Sequence, residues 1–197
     1  VALQQHRSIE SYQQLLASNV EEQERLARML DNMLFLARTD PASALRQRQA
    51  LDAADEVERI ADYFEGLAGD VDMHITALGE GVIWAEPMLL RRALANLCAN
   101  AIKYGAPGSE LSIQAVPDGA GINLRVSNHG QTIPAEHLPR LFERFYRVDE
   151  SRERSAQCNG LGLSIVATIM QLHNGRYRVS SEDGVTCFEL FFPGREA

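Results

Sequence analysis

Asn96, Asn100 and Lys103 recur at spacings of four and three, which on a helix puts all three on one face, with Tyr104 beside them. Amide oxygens are hard, neutral ligands suited to a Mg²⁺ that also keeps phosphate and water oxygens. A lysine next to them suits polyphosphate charge. A solvent-facing polar stripe has the same spacing, so the pattern leaves both readings open. Three further segments have residue types that could do chemistry. Ser127-Asn128-His129-Gly130-Gln131-Thr132-Ile133-Pro134 follows a strand, a common place for binding loops, although an ordinary turn would look alike. Cys158-Asn159-Gly160-Leu161-Gly162-Leu163-Ser164 opens a helix. Its glycines would let backbone N–H groups approach an anion at the favourable helix N-terminus, or simply allow close packing. Phe142-Glu143-Arg144-Phe145-Tyr146-Arg147 carries three aromatics, and core packing is the expectation for Phe142 and Phe145.

The elements that must position these residues can be read from periodicity and punctuation. Residues 10–39 form one long helix by pattern: Tyr12, Leu15, Asn19, Glu22, Leu26, Met29, Met33 and Leu36 recur at alternating spacings of three and four. Its C-terminal half adds Leu30, Leu34, Phe35 and Ala37, so wide an apolar face that it must pack in a bundle, within the chain or between chains. Val1 to Gln5 read as the end of a preceding helix and His6 to Ser8 as the turn. Pro41 ends the long helix, and the polar stretch to about Gln49 is a linker running into a first strand. Helices are expected over Asp52–Ala68, Pro87–Tyr104, Ala135–Tyr146 and Gly162–His173. Pro87 suits a first helical turn and Gly105 a helix end. Strands are expected over Val71–Leu78 and Val82–Ala85, with hairpins over Leu111–Val116 and Ile122–Ser127, then Tyr177–Ser181 and Cys187–Phe192. The sum is an α+β fold, an α/β sandwich whose mixed sheet has helices on one face.

Composition narrows the function classes. The 197 residues include 45% hydrophobic and 23% charged residues, as in an ordinary globular protein with a real core. A net charge of −8 without a long Lys/Arg run argues against a nucleic-acid surface. Cys98, Cys158 and Cys187 form no C-x-x-C pair, and no Cys/His cluster has zinc spacing. Cys98 and Cys187 lie in apolar stretches where core packing is expected. No apolar run reaches the length of a membrane span. A first residue of Val leads us to expect a piece of a longer protein, with any membrane anchor upstream.

Each signal is modest, but their order is informative. Asn96-Leu-Cys-Ala-Asn100-Ala-Ile-Lys103-Tyr104, then Asn128-His-Gly130, then Leu141-Phe-Glu-Arg-Phe-Tyr146, then Gly160-Leu-Gly162-Leu163 resemble the N, G1, F and G2 boxes of bacterial sensor histidine kinases. Arg25 to Arg38 resembles the second dimerisation helix of that family. With Asn128-His-Gly130 and Arg144-Phe-Tyr-Arg-Val-Asp149, the likeness runs most closely to the copper and heavy-metal sensor kinases. The resemblance implies the histidine kinase/gyrase/Hsp90 type of ATPase sandwich over residues 50–197, preceded by a dimerisation remnant at 1–40 and a linker and first strand at 41–49.

It also implies roles. ATP and Mg²⁺ are the expected cofactors, with Asn100 and Asn96 holding the metal. Lys103 and Asn96 would be catalytic, Lys103 at the phosphates and Tyr104 near ribose or phosphates. Gly160, Leu161, Gly162 and Leu163 would bind phosphate through the backbone. Asn128, Gly130, Ile133, Phe145, Arg147 and Thr186 would border the nucleotide, Asn128 and Thr186 at the adenine, and Arg147–Asn159 would form a mobile lid. Expected partners are the dimerisation domain of the same or a partner subunit and a response regulator. The full-length protein is expected as a homodimer at the cytoplasmic face of the bacterial inner membrane.

The chain departs from the family pattern at several positions. Asn128 stands where Asp is usual, and its carbonyl can still accept from an adenine amino group, without charge assistance. Thr132 and Cys158 replace glycines and narrow the loop conformations available. Relatives that hydrolyse ATP carry a Glu where this chain has Asn96, and an amide is no general base near neutral pH. No Ser-His-Glu-x-x-x-Pro-like acceptor motif is present, so no autophosphorylation in cis is expected. Three readings follow: the ATP-binding part of a protein-histidine kinase, an ATP-sensing regulatory module without kinase activity, and a serine kinase of the anti-sigma type. The long apolar helix speaks against the third.

Overall fold

The computed structural model describes residues 8–38, 47–148 and 160–195. The expected turn at His6, the stop at Pro41, most of the lid and Cys158 lie outside those residues. In chain order the elements are α1 (Ile9–Arg38), β1 (Gln49–Asp52), α2 (Ala53–Gly69), β2 (His74–Gly79), β3 (Val82–Ala85), α3 (Pro87–Tyr104), β4 (Glu110–Asp118), β5 (Gly121–His129), a 3-10 turn (Leu138–Arg140), α4 (Gly162–Leu172), β6 (Arg176–Glu182) and β7 (Val185–Pro193). Five strands form one sheet in the order β2-β4-β5-β7-β6. The β2–β4 pair is parallel and the other neighbours are antiparallel.

Strand alternation makes one face of this sheet apolar. Leu111, Ile113 and Ala115 of β4, Ile122, Leu124 and Val126 of β5, and Phe188, Leu190 and Phe192 of β7 are all buried. The helices cover that face with Val57, Ile60 and Phe64 of α2, Leu90, Leu94 and Leu97 of α3, and Ile165, Ile169 and Met170 of α4. Each fully buried Leu or Ile contributes about 1.5–3 kcal/mol. The expected mixed sheet with helices on one face is therefore what forms. One pairing was not anticipated. β3 leaves the large sheet and pairs with β1, Leu51 opposite Ile83.

Local chemistry sets the helix ends. Asp52 caps α2 by accepting from the N–H groups of Ala54 and Asp55 at 2.9 and 3.2 Å. Glu86 caps α3 by accepting from Met88 and Leu89, and Pro87 follows at the first helical position. Glu56, 3% exposed, takes a bidentate pair of 2.7 Å hydrogen bonds from Arg91 and so clamps α2 to α3. His173 ties the end of α4 to the start of α3. Its Nδ1 lies 2.7 Å from the Ile169 carbonyl, and its Nε2 accepts from the Glu86 N–H at 3.1 Å. These two contacts define the neutral tautomer, and burial lowers the His173 pKa accordingly.

Two expectations need correction. Ala135–Tyr146 is not a helix: only the turn Leu138–Arg140 forms. Pro139 has no N–H to donate, and Phe145 takes a left-handed φ of 65° that ends any helix. Cys98 is buried, but Cys187 is only half-buried, because alternation turns it to the bare face of the sheet beside Ser127 and Ser180. In α1, Leu26 and Met33 are exposed, whereas Phe35 and Leu36 pack against the core of this chain, as a helix with so wide an apolar face must. Arg92 of α3 fixes that contact, stacking over the Phe35 ring at 4.2 Å and donating to Asn32 at 2.8 Å.

Candidate functional site

Asn96, Asn100 and Lys103 lie on the half-buried side of α3, opposite the buried Leu97, Cys98 and Ala101. The Asn96 Nδ2 donates to the Arg92 carbonyl at 2.8 Å, which leaves Oδ1 to act as a ligand. That oxygen faces the start of α4: a Cβ at Gly162 would stand 3.0 Å from it. The Asn100 side-chain amide makes no hydrogen bond among the described residues. The Lys103 ammonium is buried and has no acceptor among them; the Tyr104 ring, 5.2 Å away, is its neighbour. A buried ammonium without an acceptor costs free energy unless an anion joins it.

α4 begins without a side-chain cap at Leu161. Among the described residues no side chain caps its first-turn N–H groups, so they can meet an anion. Leu161 itself is buried and anchors the turn, and the Ser164 hydroxyl donates to the Leu161 carbonyl. Gly160 has a φ of +63°, and a Cβ there would meet the Phe145 backbone at 2.8 Å. The Phe145 N–H donates to the Gly160 carbonyl at 2.9 Å, so the two ends of the intervening segment are joined. Phe142 packs against Tyr177 and Phe188 as expected. Phe145 does not join the core: it is 58% exposed, because its left-handed backbone turns the ring outward. Arg147 follows, half-buried.

The C-terminal end of α3 meets the loop after β5. Gly105 and Gly130 form a bridge, and the Ala106 N–H donates to the His129 carbonyl at 2.8 Å. A Cβ at Gly130 would lie 2.4 Å from the Tyr104 carbonyl, so this approach requires glycine. Gly130 also donates to the Gly184 carbonyl, and the Thr132 hydroxyl accepts from the Gly184 N–H at 2.9 Å. Thr132 thus adds a tie to the β6–β7 turn where the sequence suggested only constraint.

Beside this loop, Asn128, Thr186 and Ser181 form a row across β5, β7 and β6 on the helix-covered face. They are buried, at 5%, 7% and 6% exposure. The Asn128 Nδ2 donates to the His129 carbonyl, leaving Oδ1 to accept. Ser181 accepts from the Ile133 N–H at 2.9 Å and lies 2.8 Å from the Thr186 hydroxyl. Ser181 was missed in the sequence. Its one available signal is its place two residues after the inward-facing Val179. A small crevice bordered by Glu110, Ser112, Ser127, His129 and Val185 opens on the bare face and shares only Asn128 with the cluster.

The structure therefore brings three sets together: the amides and lysine of α3, the bare start of α4, and the polar row with its loop. Such a site offers hard oxygens, a cation, backbone N–H groups at an uncapped helix start and a polar edge. Residues 85–196 match the histidine kinase-, DNA gyrase B-, and HSP90-like ATPase family. The chain is 42% identical over its whole length to the sensor protein IrlS of Burkholderia pseudomallei, covering 43% of that protein. It is 40% identical over 99% of its length to the sensor histidine kinase CusS of Escherichia coli O157:H7, covering 41% of it. Among solved structures, the Acinetobacter baumannii histidine kinase AdeS superposes with a TM-score of 0.73 at 19% identity, over 97% of this chain and 88% of that one. Full-length ShkA in complex with AMPPNP superposes with a TM-score of 0.77 at 21% identity, over 98% of this chain and 41% of that one. The chain spans less than half the length of these curated relatives.

Proposed function

Since the chain belongs to the histidine kinase-, DNA gyrase B-, and HSP90-like ATPase family, we propose that it is the ATP-binding catalytic part of a two-component sensor histidine kinase. It would donate the γ-phosphoryl group of ATP to a dimerisation-domain histidine for onward transfer to a response regulator. One observation carries this reading: the buried Lys103 ammonium, without an acceptor among the described residues, shares a helix face with two amides, one of which meets the start of α4. A polyphosphate with its metal answers each of those groups at once.

In this reading Asn100 and Asn96 hold Mg²⁺ together with phosphate oxygens. The metal would neutralise charge on the phosphates. Lys103 sits at the phosphates and Tyr104 beside ribose or phosphates. Gly160, Leu161, Gly162 and Leu163 give backbone N–H groups to phosphate. Asn128 and Thr186 read the adenine, flanked by Gly130, Ile133, Phe145 and Arg147. Neither amide on α3 can take a proton from water near neutral pH, which favours transfer to a protein over hydrolysis.

Residues 50–197 would form the catalytic domain, 41–49 the linker and first strand, and 1–40 the remnant of the dimerisation domain. The exposed Leu16, Val20, Leu26 and Leu30 of α1 suit a homodimeric bundle in the full-length protein. Among the described residues no helix is long and apolar enough to cross a membrane. Placement at the cytoplasmic face of the bacterial inner membrane belongs to the same reading. Sensing of copper or another heavy metal rests on motif likeness.

The test mixes this chain with Mg²⁺-ATP and separately made dimerisation helices carrying the acceptor histidine. Acid-labile phosphate on that histidine supports the kinase. Nucleotide binding without transfer supports an ATP-sensing regulatory module instead, and absence of nucleotide binding refutes both.

A further inference from the structure

Phe145 has a left-handed φ of 65°, a strained backbone for a bulky side chain. Its ring is 58% exposed and adds little packing to hold that conformation. Such strain persists where surrounding contacts over-determine it, and the next residue supplies them. The Tyr146 hydroxyl lies 2.6 Å from the His137 Nδ1, and the Arg140 guanidinium stacks over the Tyr146 ring at 4.2 Å. The bond between His137 and Tyr146 forms whichever group donates. The His137 N–H donates to the Pro134 carbonyl at 2.9 Å, so His137 belongs to the loop that Ile133 ties to Ser181. On its other side, the Phe145 N–H donates to the Gly160 carbonyl at 2.9 Å. Gly160 has a φ of +63° and no room for a Cβ against the Phe145 backbone. It leads into the uncapped start of α4, where Gly162 faces Asn96.

We propose that His137 is a positioning residue for the phosphate-binding turn, acting through Tyr146 to hold Phe145 against Gly160. This rests on the nucleotide reading above and adds to it what sets the backbone N–H groups of residues 160–163 in place. His137 is not itself a ligand of the nucleotide. Without a side-chain cap the turn must be fixed from its two sides. Buried Leu161, whose carbonyl accepts from the Ser164 hydroxyl, fixes one side. The bond from Phe145 to Gly160 fixes the other. Release of Tyr146 lets the Phe145 backbone relax and breaks that bond. Gly160 is then free among the conformations that glycine allows. The arrangement that binds phosphate is populated for only part of the time, and apparent affinity falls by that fraction.

Two measurements on the whole chain test this. Amide hydrogen exchange without nucleotide reads the bond from Phe145 to Gly160 directly. Tyr146→Phe keeps the ring under Arg140 and removes the hydroxyl. The Phe145 amide is then expected to exchange about three- to tenfold faster, the worth of one hydrogen bond. The Ala106 amide, bonded to the His129 carbonyl, should keep its rate. Calorimetry with Mg²⁺-ATP is expected to show binding about three- to tenfold weaker in Tyr146→Phe and in His137→Ala. His137→Asn offers an amide near the place of Nδ1 and is expected to recover most of that loss. Equal acceleration at Phe145 and Ala106 would mean general loosening and overturns the proposal. So does an unchanged Phe145 rate, or unchanged ATP affinity in Tyr146→Phe beside a faster Phe145 amide. A loss in His137→Asn as large as in His137→Ala places the effect in ring packing and overturns it too. If His137→Ala does not fold, Tyr146→Phe decides. Failure of the unmodified chain to bind ATP would sink the nucleotide reading and this role with it, while exchange, measured without nucleotide, would still report on the tie between His137 and Tyr146.

Discussion

Lys103→Met separates the role of Lys103 in binding from its cost to the fold. The ammonium is buried, has no acceptor among the described residues, and has one favourable neighbour in the Tyr104 ring at 5.2 Å. Leaving a buried polar group unsatisfied costs about 1–3 kcal/mol, and a cation–π contact returns about 0.5–1 kcal/mol. Methionine keeps the length of the side chain and removes both terms. The nucleotide-free Lys103→Met protein is therefore expected to be more stable by about 1 kcal/mol, or about 2–4 °C in Tm for a chain of this size. Its affinity for Mg²⁺-ATP should fall by about 10- to 100-fold, the worth of a hydrogen bond to a charged group. Scanning calorimetry without nucleotide and titration calorimetry with it measure the two halves. A Lys103→Met protein that melts lower than the parent would show that the ammonium already has a structural partner. Unchanged affinity would remove Lys103 from the site.

Three further outcomes follow from the same structure. Asn100→Ala should abolish the Mg²⁺ dependence of nucleotide binding in calorimetry while leaving the fold intact, because this amide bonds to no described residue; a retained Mg²⁺ effect would refute the ligand assignment. Arg91→Met takes the bidentate partner from the buried Glu56 carboxylate and leaves it the 3.2 Å contact from Arg59, so it is expected to cost about 1–3 kcal/mol in urea unfolding. Burial lowers the pKa of His173 in the fold, so its stabilising contribution is complete above the unfolded value near 6.5 and is lost as pH falls through the folded value. Urea midpoints measured from pH 7.5 downward should show this decline, and His173→Leu should flatten it.

The parts of this fold that could be read from the chain are those set by local chemistry. Pro87 and Gly105 bracket α3: a proline tolerates the first helical turn, and at Gly105, whose backbone is ordinary extended, a Cβ would meet the Met73 side chain and the Ala101 carbonyl at 2.5 and 2.6 Å. The spacing of Asn96, Asn100 and Lys103 then places them together without further information. The strands of both hairpins follow from alternation, which also gives the covered face. What escaped depends on contacts distant in sequence. Ser181 differs from Ser180 only by standing two residues after Val179, a signal that points inward only once β6 is known to pair with β7. The role of Thr132 depends on Gly184, fifty-two positions later. The pairing of β3 with β1, and the clamp from Glu56 to Arg91, join segments whose separate patterns carry no mark of each other. The aromatic segment was misread as a helix for a different reason: its apolar spacing is helical, but Pro139 and the left-handed backbone at Phe145 prevail over spacing.

The helix α3 links these contacts into one mechanical unit. Arg91 clamps it to α2, and Arg92 holds α1 through Phe35 and Asn32. The carbonyl of that same Arg92 fixes the amide of Asn96. One turn further lies Asn100, and the next turn brings Lys103 and the bridge from Gly105 to Gly130. The amides and the lysine therefore stand on one rigid element, against which the start of α4 and the loop after β5 are packed. The loops meet that element where glycine allows close approach, at Gly130 against Tyr104 and at Gly162 against Asn96. A side chain at Gly130 would push that loop off α3 while leaving the polar groups intact, and one at Gly162 would press on the Asn96 amide. Gly130→Ala is the sharper case, since the added Cβ would lie 2.4 Å from the Tyr104 carbonyl. It should weaken nucleotide binding even though it removes no ligand, because the loop carrying Asn128 must shift away from Lys103. Unaltered affinity in Gly130→Ala would mean that the adenine-side loop and α3 bind independently, against the single-element account.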